Sequence, residues 1–414
     1  MKTIRLPQAI ALYIGAVLGA GILLVPGLAA QVAGPASLID WGLLMILVLP
    51  LALCMAYLSQ KYPHSGGVSY FVTEAFGHRT GQVIGWFFLM SVPIGAPVTA
   101  ITGAAYLSTA LRLPDSITIA LAGLVLLLAV LINYRGMQIA GKVQVAVIAM
   151  ILIILTATLA GALPHVRVSH FQPFMPNGPW SIGYASTLLF WCFIGWEAIT
   201  NYSTEFVNPE KDVHRATIIS ALILGILYFM TAFVIVGTGS YHVQGQAALV
   251  IVSEQVFGRG GAIIIGAAAL LICLATVIAY IGSAARMACA MAKEGAAPRW
   301  LNKQSEKYQT PTGGLLFLAA CFLIVMTAYS SGLISLTKLI QLPNATFLLN
   351  YMGGCAAGLI LFRKEKKKFL ISLVALLATL FMFFFVGSAI LYPLIICVFI
   401  AGQRMVHSLR KKSY

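Results

Sequence analysis

Charged side chains are scarce in this sequence, and acidic side chains are the scarcest. Only 9% of the 414 residues are Asp, Glu, Lys or Arg, and 60% are hydrophobic. A soluble domain has about 25% charged residues, and one of this length could not hide so much apolar surface from water. The composition therefore excludes a soluble globular protein and indicates an integral membrane protein.

Motifs that would indicate an enzyme or an ATP-driven pump are absent as well. The chain has no His-Glu-x-x-His zinc motif, no Gly-x-Ser-x-Gly nucleophile turn, no aspartate-rich diphosphate motif and no Walker loop. Its seven cysteines lie in apolar runs, and no two of them have the spacing of metal ligands. We therefore expect no catalytic residues, no cofactor and no metal site.

Long apolar runs, by contrast, recur along the whole chain. A helix needs about 20 residues to cross about 30 Å of hydrocarbon, and it satisfies its own backbone hydrogen bonds there. The sequence predicts an all-α polytopic membrane protein, whose last two runs could also form one long tilted helix. The twelve predicted spans are 7–33, 37–60, 81–111, 115–133, 143–163, 181–204, 216–239, 261–291, 313–330, 334–362, 369–386 and 388–403.

The distribution of lysine and arginine predicts how these spans are oriented. With the N-terminus in the cytoplasm, only four of the 26 basic residues fall outside, as the positive-inside rule requires. The basic run at 363–368 then faces lipid headgroups, so no nucleic-acid partner is expected. The first apolar run is too long for a cleaved signal peptide. We predict a bacterial cytoplasmic (inner) membrane protein with both termini in the cytoplasm.

Glycines crowd the first span and predict a break within it. Gly15, Gly19 and Gly21 are followed by Pro26, and these residues weaken a helix in its middle. Close packing against another helix would also explain Gly15 and Gly19. A break at Gly19-Ala20-Gly21 would expose backbone N–H groups that can receive a carboxylate.

The sixth span carries a second break signal and an acid. Gly195 lies among large aromatic residues, and Glu197 is the one acid that we place deep in a span. A charge there is costly and indicates a function, although a structural acid bonded to a neighbouring helix is the alternative. Breaks at matching positions in two halves are typical of inverted-repeat transporters. We divide a single transmembrane domain, 1–403, into repeats at 1–163 and 181–362 and peripheral helices at 369–403, followed by a basic cytoplasmic tail at 404–414.

Four short motifs lie in order along nearly the whole chain. They are residues 19–22, residues 63–70, the group Glu205, Asn208, Pro209 and Glu210 with Arg215-Ala216 beyond, and Arg286 followed by residues 293–298. Together they resemble the motifs of the amino acid–polyamine–organocation (APC) superfamily of transporters. Residues 190–198 resemble the sixth-span signature of bacterial exporters of L-methionine and branched-chain amino acids.

The resemblance implies a fold and a site. The fold is a core of two inverted five-helix repeats, with the first and sixth spans discontinuous, plus two peripheral helices. The amides around Ala20 would hold the substrate carboxylate, and carbonyls at both breaks would hold the ammonium. Trp191 would be the gate over the substrate, unless it is an ordinary packing aromatic. The substrate-binding residues so implied are Ile14, Ala16, Gly19, Ala20, Gly21, Ile22, Trp191, Cys192, Phe193 and Ile194.

The chemistry of this site narrows the substrate class. A free amino acid is a zwitterion, and two broken helices offer dipole ends of both signs without charged side chains. The lining predicted from the sixth span is Trp191, Phe193, Ile194 and Trp196, which offers no partner to a charged substrate side chain. Methionine, leucine, isoleucine and valine fit such a pocket, with overlapping specificity.

Two positions depart from the pattern of the superfamily. Ala20 stands where many relatives have Ser or Thr, so a hydroxyl donor to the carboxylate is missing. Residues 147–151 lack the lysine that replaces sodium in some relatives, and Lys142 lies near the cytoplasmic edge. Both lysine-based proton coupling and a simple sodium mechanism are thereby disfavoured. Glu197 is the predicted proton-coupling residue.

Three functions remain open on the sequence alone. The leading interpretation is a secondary active transporter that exports neutral apolar L-amino acids by proton antiport or exchange. An uptake permease of the same fold is the second, and a non-transporting membrane receptor or scaffold is the third. The expected partners are a small amino acid and the lipid bilayer, and the expected assembly is a monomer or homodimer.

Overall fold

The computed structural model describes residues 4–64, 66–136, 141–200, 206–242 and 247–412, with side chains described except at 141–144, 198–199 and 403–412. This part of the chain is almost entirely helical, and its only β-type pairing is an isolated parallel bridge between Ile4 and Phe206. Its α-helices are α1 (Leu6–Leu18), α2 (Gly21–Ala33), α3 (Ser37–Lys61), α4 (Gly67–Phe76), α5 (His78–Leu111), α6 (Asp115–Arg135), α7 (Gly141–Ala162), α8 (Trp180–Leu189), α9 (Trp196–Thr200), α10 (Pro209–Thr238), α11 (Ala248–Lys293), α12 (Thr312–Ser330), α13 (Leu336–Leu361), α14 (Lys366–Phe383) and α15 (Leu391–Lys412).

Within the described residues, eight helical stretches are long and apolar enough to cross a membrane. The first of them, Leu6–Lys61, takes in α1, α2 and α3, and the bent pair α14 and α15 raises the number to nine. The predicted all-α polytopic membrane architecture is confirmed. The count of twelve spans stays a prediction.

Helix boundaries differ from the predicted spans mainly where the helix is polar. α10 begins at Pro209 rather than near residue 216, because proline at the first position and acids in the first turn favour a helix start. α4 occupies a segment that was predicted as a loop. α11 begins at Ala248, well before the predicted start at residue 261, and is interrupted at Gly258 with φ 65°. Hydropathy alone detects none of these features.

The C-terminal hydrophobic region forms two helices. α14 ends at Phe383, α15 begins at Leu391, and the two axes differ in direction by 113°. Gly387 lies between them at φ 59°, a conformation that favours glycine. One long tilted helix over 369–403 is therefore excluded. α15 continues through the predicted basic tail as far as Lys412.

α5 is the central helix of the bundle and forms one wall of the candidate site. In its most apolar 18-residue window 89% of the residues are buried, whereas α6, which faces outward, has 22%. Small residues allow α5 and α11 to approach closely: a Cβ on Gly103 would lie 2.7 Å from Cβ of Cys273, and one on Gly266 would lie 2.9 Å from Cβ of Ala110. Such contacts are typical of helix packing in membranes.

Candidate functional site

The first helix break separates α1 from α2 and depends on a glycine. α1 ends at Leu18, Gly19 adopts φ 30° and ψ −145°, and α2 begins at Gly21. The positive φ favours glycine, and a Cβ on Gly19 would lie 3.3 Å from Cγ2 of Thr276. The predicted break is confirmed. The first N–H groups of α2 and the last carbonyls of α1 consequently have no partners within their own helices.

The second break lies between α8 and α9. A 3₁₀ turn over Phe190–Phe193 follows α8, Ile194 is extended at φ −75° and ψ 138°, and Gly195 has φ 132°. Only glycine adopts this last conformation without strain. The predicted interruption of the sixth span at Gly195 is confirmed.

The two breaks touch each other through their backbones. A Cβ on Gly195 would lie 2.8 Å from the carbonyl oxygen of Ala16, and one on Gly21 would lie 2.9 Å from Cα of Cys192. On the far side, Tyr228 of α10 donates its hydroxyl to the carbonyl of Val17 at 2.9 Å, which satisfies one free carbonyl at the end of α1. Glycines therefore allow the ends of four half-helices to meet at one place.

A cavity lies against the two breaks. Its walls combine apolar side chains with a few hydroxyl groups, and none of the lining residues is charged. The lining residues are Ala16, Val17, Gly19, Ala20, Gly21, Ser91, Val92, Gly95, Ala96, Thr99, Trp191, Ile194, Thr276, Val277, Tyr280 and Phe347.

The structure brings part of the predicted binding set to this cavity. Ala16, Gly19, Ala20, Gly21, Trp191 and Ile194 line it. Ile14, Ile22, Cys192 and Phe193 are buried beside it without lining it. Ile14 lies one turn before the end of α1, where its carbonyl belongs to the helix ladder. The binding role of each residue stays a prediction.

Two aromatic residues of the expected lining point elsewhere. Phe193 packs between Trp41 and Tyr228, with ring centroids 6.2 and 5.7 Å away, and Trp196 packs on Tyr13 at 5.4 Å. The 3₁₀ turn and the extended residue after it rotate these side chains away from the cavity. The apolar lining expected from the sixth span is therefore reduced to Trp191 and Ile194.

Sequence reasoning missed the opposite walls, which come from three other helices. α5 contributes Ser91, Gly95 and Thr99, each four residues from the next, and α11 contributes Thr276 and Tyr280 with the same spacing. Small or hydroxyl residues repeated every four positions mark one face of a helix. This pattern was the signal available in the sequence. Phe347 of α13 offers no such signal.

Trp191 spans the cavity from the second break to α5. A Cβ on Gly95 would lie 3.3 Å from Cη2 of Trp191, so the indole ring rests on a residue that has no side chain. Both the gate and the packing interpretation are compatible with this contact.

Glu197 lies immediately after the second break and is 2% exposed. Its Oε2 accepts hydrogen bonds from the N–H of Gly195 at 2.8 Å and from the hydroxyl of Tyr351, and its Oε1 accepts one from the hydroxyl of Tyr280 at 3.3 Å. Glu197 does not line the large cavity. It lines a smaller one together with Ser69 and Asn350, among other residues.

Comparison with known proteins shows the family of this chain. Residues 4–405 match the family model described as Amino acid permease. The chain belongs to the amino acid permease family, within the APC superfamily. It is a multi-pass membrane transporter and not an enzyme.

Individual relatives align with the permease over nearly its whole length. It is 37% identical to the uncharacterized amino acid permease YecA of Bacillus subtilis, over 95% of this chain and 93% of that protein. It is 32% identical to the L-methionine/branched-chain amino acid exporter YjeH of Escherichia coli, over 95% and 94%. It is 27% identical to the branched-chain amino acid permease BcaP of Bacillus subtilis, over 86% and 79%.

The permease contains a second fully buried acid, which corrects the expectation that Glu197 is alone. Asp40 in the first turn of α3 is inaccessible to solvent, and Ser186 of α8 donates to its Oδ1 at 2.6 Å. Its Oδ2 has no hydrogen-bond partner among the described residues. Asp40 was overlooked because it lies close to the predicted end of its span.

The motif residues at the start of α10 and on α11 do not line the cavity of the permease. Asn208 and Glu210 are exposed at the start of α10, where Gln60 of α3 donates to the carbonyls of Pro209 and Glu210 at 3.3 Å. Arg286 is exposed on α11. Glu205 lies outside the described residues, as does Ser65 of the motif at 63–70.

Proposed function

We propose that this permease is a secondary active transporter of neutral apolar L-amino acids. The observation that carries the proposal is one uncharged cavity bounded by the ends of two broken helices. The free N–H groups at the start of α2 suit a carboxylate, and the free carbonyls at the end of α1 suit an ammonium group. A zwitterion is the small molecule that needs both.

The roles of individual residues follow from this arrangement. The amides of Ala20, Gly21 and Ile22 hold the α-carboxylate, because Ala20 caps α2, the other two residues begin it, and their N–H groups have no helical acceptors. The carbonyl of Ala16 and carbonyls of the second break hold the ammonium. Trp191 closes over the bound substrate.

The rest of the cavity wall selects the side chain of the substrate. Val92, Ala96, Val277, Phe347 and Ile194 are apolar, and no lysine, arginine, aspartate or glutamate lines the cavity. A charged substrate side chain would be desolvated there without a partner. Methionine, leucine, isoleucine and valine are the substrates that we propose. The relative YjeH is an L-methionine/branched-chain amino acid exporter, which supports this choice.

We further propose that the permease exports its substrate by proton antiport or by exchange. Glu197 is the proton-coupling group, since it is a fully buried acid next to the second break. Uptake is the second candidate, and the name of BcaP, a branched-chain amino acid permease, supports it. The protein would lie in the bacterial inner membrane with both termini cytoplasmic, as a monomer or homodimer, and its halves 1–163 and 181–362 would form inverted repeats.

Counterflow in proteoliposomes tests the substrate class. Vesicles that are preloaded with unlabelled methionine should accumulate external labelled methionine, and leucine, isoleucine and valine should compete while arginine and glutamate should not. Gly21→Ala should abolish accumulation, because its Cβ would meet Cα of Cys192 at 2.9 Å. Gly123→Ala on α6 is the matched control, since no atom lies within 4 Å of its Cβ position. Absence of counterflow with every amino acid would reject the proposed substrate class.

A further inference from the structure

Tyr280 of α11 contacts both the large cavity and the buried acid Glu197. Its side chain lines the large cavity, and its hydroxyl donates to Oε1 of Glu197 at 3.3 Å. Glu197 itself lines only the smaller cavity, with Ser69, Met287 and Asn350. Tyr280 is therefore the hydrogen-bonded connection, among the described residues, between the wall of the large cavity and the buried carboxyl group.

The hydrogen bonds around Glu197 fit its ionised form. An ionised carboxylate only accepts hydrogen bonds, and Glu197 has three donors directed at it, from Gly195, Tyr280 and Tyr351. Two of these donors occupy Oε2 and one is directed at Oε1, so Oε1 keeps a free lone pair for an added proton. A protonated Oε1 is a donor, and the hydroxyl oxygen of Tyr280 lies within its reach at 3.3 Å.

Protonation at Oε1 reverses the hydrogen bond between the two residues. A tyrosine hydroxyl has one hydrogen and can both donate and accept. When Glu197 is ionised, the hydrogen of Tyr280 points to Oε1 and the oxygen lone pairs remain available to the cavity. When Glu197 is protonated, the tyrosine oxygen accepts from Oε1 and its own hydrogen turns away, toward the cavity. The hydrogen only rotates, and the added proton stays on Glu197.

We propose that Tyr280 is the positioning residue through which Glu197 makes substrate binding depend on protonation. The proposal rests on the proposed transport of zwitterionic amino acids. With Glu197 ionised, the cavity presents an acceptor and a nearby negative charge, and both favour the substrate ammonium. With Glu197 protonated, the charge is gone and a donor faces the ammonium instead. Proton and amino acid therefore compete, as an exchange of one for the other requires.

The surroundings of Glu197 contain no competing charge in the described structure. Its neighbours on α11 and α13 are the neutral residues Tyr280, Met287, Asn350 and Tyr351, and Ser69 faces it from α4. The titratable residue that packs beside it from α1 is Tyr13, which contacts Trp196. Of the charged groups on the adjoining helices, Asp40 of α3 is bonded to Ser186 and Lys61 of α3 pairs with Glu365. Glu74 of α4 and Arg286 of α11 are exposed.

The smaller cavity gives Glu197 surroundings that differ from those of the substrate. Its lining includes the polar residues Ser69 and Asn350 and does not include Tyr280. Competition is then transmitted through Tyr280 and needs no direct contact between proton and substrate.

Methionine affinity as a function of pH tests the proposal in the purified full-length permease. The affinity of the wild type should fall at least about tenfold between pH 8 and pH 5, because a charge-assisted hydrogen bond is lost. Tyr280→Phe should bind methionine with less than about threefold change over that range. Tyr392→Phe is the matched control, since it removes a part-buried hydroxyl that donates to Met90 at 2.6 Å, and it should behave as the wild type.

A second measurement, of proton release on methionine binding, uses the wild-type permease alone. Binding of methionine near pH 6 should release protons, which calorimetry detects as a binding enthalpy that depends on the ionisation enthalpy of the buffer. A Tyr280→Phe protein with the full pH dependence of the wild type would overturn the proposal, as would a wild type that releases no protons. A wild type that binds no amino acid at any pH would instead contradict the proposed function.

Discussion

The carbonyl oxygen of Ala16 lies directly against the Cα of Gly195, so that a Cβ at position 195 would be only 2.8 Å away. Gly195 also has φ 132°, which residues with a side chain rarely adopt. One residue thus serves both the conformation of the second break and its contact with the first. The site depends on this contact, because it holds the free ends of α1 and α9 at a common point.

Gly195→Ala should therefore abolish transport and destabilise the protein. Backbone strain of this kind costs about 1–3 kcal/mol, and the clash with Ala16 adds to it. Thermal unfolding in detergent should show a lower midpoint than the wild type, and counterflow should be lost. Gly123→Ala, which meets no neighbouring atom, should change neither. A Gly195→Ala protein with normal counterflow would show that the contact is dispensable.

Replacement of Trp191 should separate gating from packing. Trp191→Ala removes the ring that rests on Gly95, so the substrate is no longer enclosed, and we expect methionine counterflow to fall below about a tenth of the wild-type rate. Trp191→Phe keeps an aromatic ring and should retain part of the rate. Trp180→Ala is the control, because that indole is 74% exposed at the start of α8. Near-normal turnover of a folded Trp191→Ala protein would favour the packing interpretation.

Local signals in the sequence predicted the breaks, while the walls of the cavity required the fold. Gly19 and Gly195 are visible in the sequence because a glycine that interrupts an apolar run has a local conformational effect. Thr276 and Tyr280 line the same cavity as Trp191, and their four-residue spacing marks one face of α11, but this spacing does not show that α11 packs beside the breaks. Such neighbours are set by tertiary packing, which a single sequence does not specify.

Hydropathy likewise predicted the existence of the spans more accurately than the positions of their ends. α10 begins at Pro209 because its first turn is polar and suits a helix start, yet polar residues lower the hydropathy on which the prediction relied. Asp40 was missed for a related reason. It lies near the end of a span, where an acid is ordinarily solvated, whereas α8 and α3 together bury it completely. Burial of such a residue follows from helix packing and not from its position in the chain.

Glu365 should contribute to stability at neutral pH through two ion pairs outside the membrane. Lys368 and Lys61 lie 2.6 and 2.7 Å from its carboxylate, and their hydrogen bonds lower its pKa in the folded protein. A lowered carboxyl pKa stabilises the fold above the ordinary pKa of glutamate, and this contribution disappears as the pH falls through the folded value. Glu365→Gln should slightly lower the unfolding midpoint at pH 7, by an amount that shrinks with added salt and at pH 4. A difference that is the same at both pH values would contradict this account.

Glu197→Gln should make transport insensitive to pH. The glutamine keeps the size of the side chain and one oxygen acceptor, but it cannot ionise, so neither the negative charge nor the reversal of the Tyr280 hydrogen bond is available. Exchange of methionine, measured in proteoliposomes with equal pH on both sides between pH 5 and pH 8, should vary in the wild type and stay flat in the variant. Asp40→Asn is the matched control, because Asp40 is equally buried but lines neither the large nor the smaller cavity, and Ser186 can still donate to the amide oxygen. It should retain the wild-type profile. An unchanged pH profile in Glu197→Gln would exclude Glu197 as the coupling group. A flat pH profile in Asp40→Asn alone would identify Asp40 as the coupling group instead.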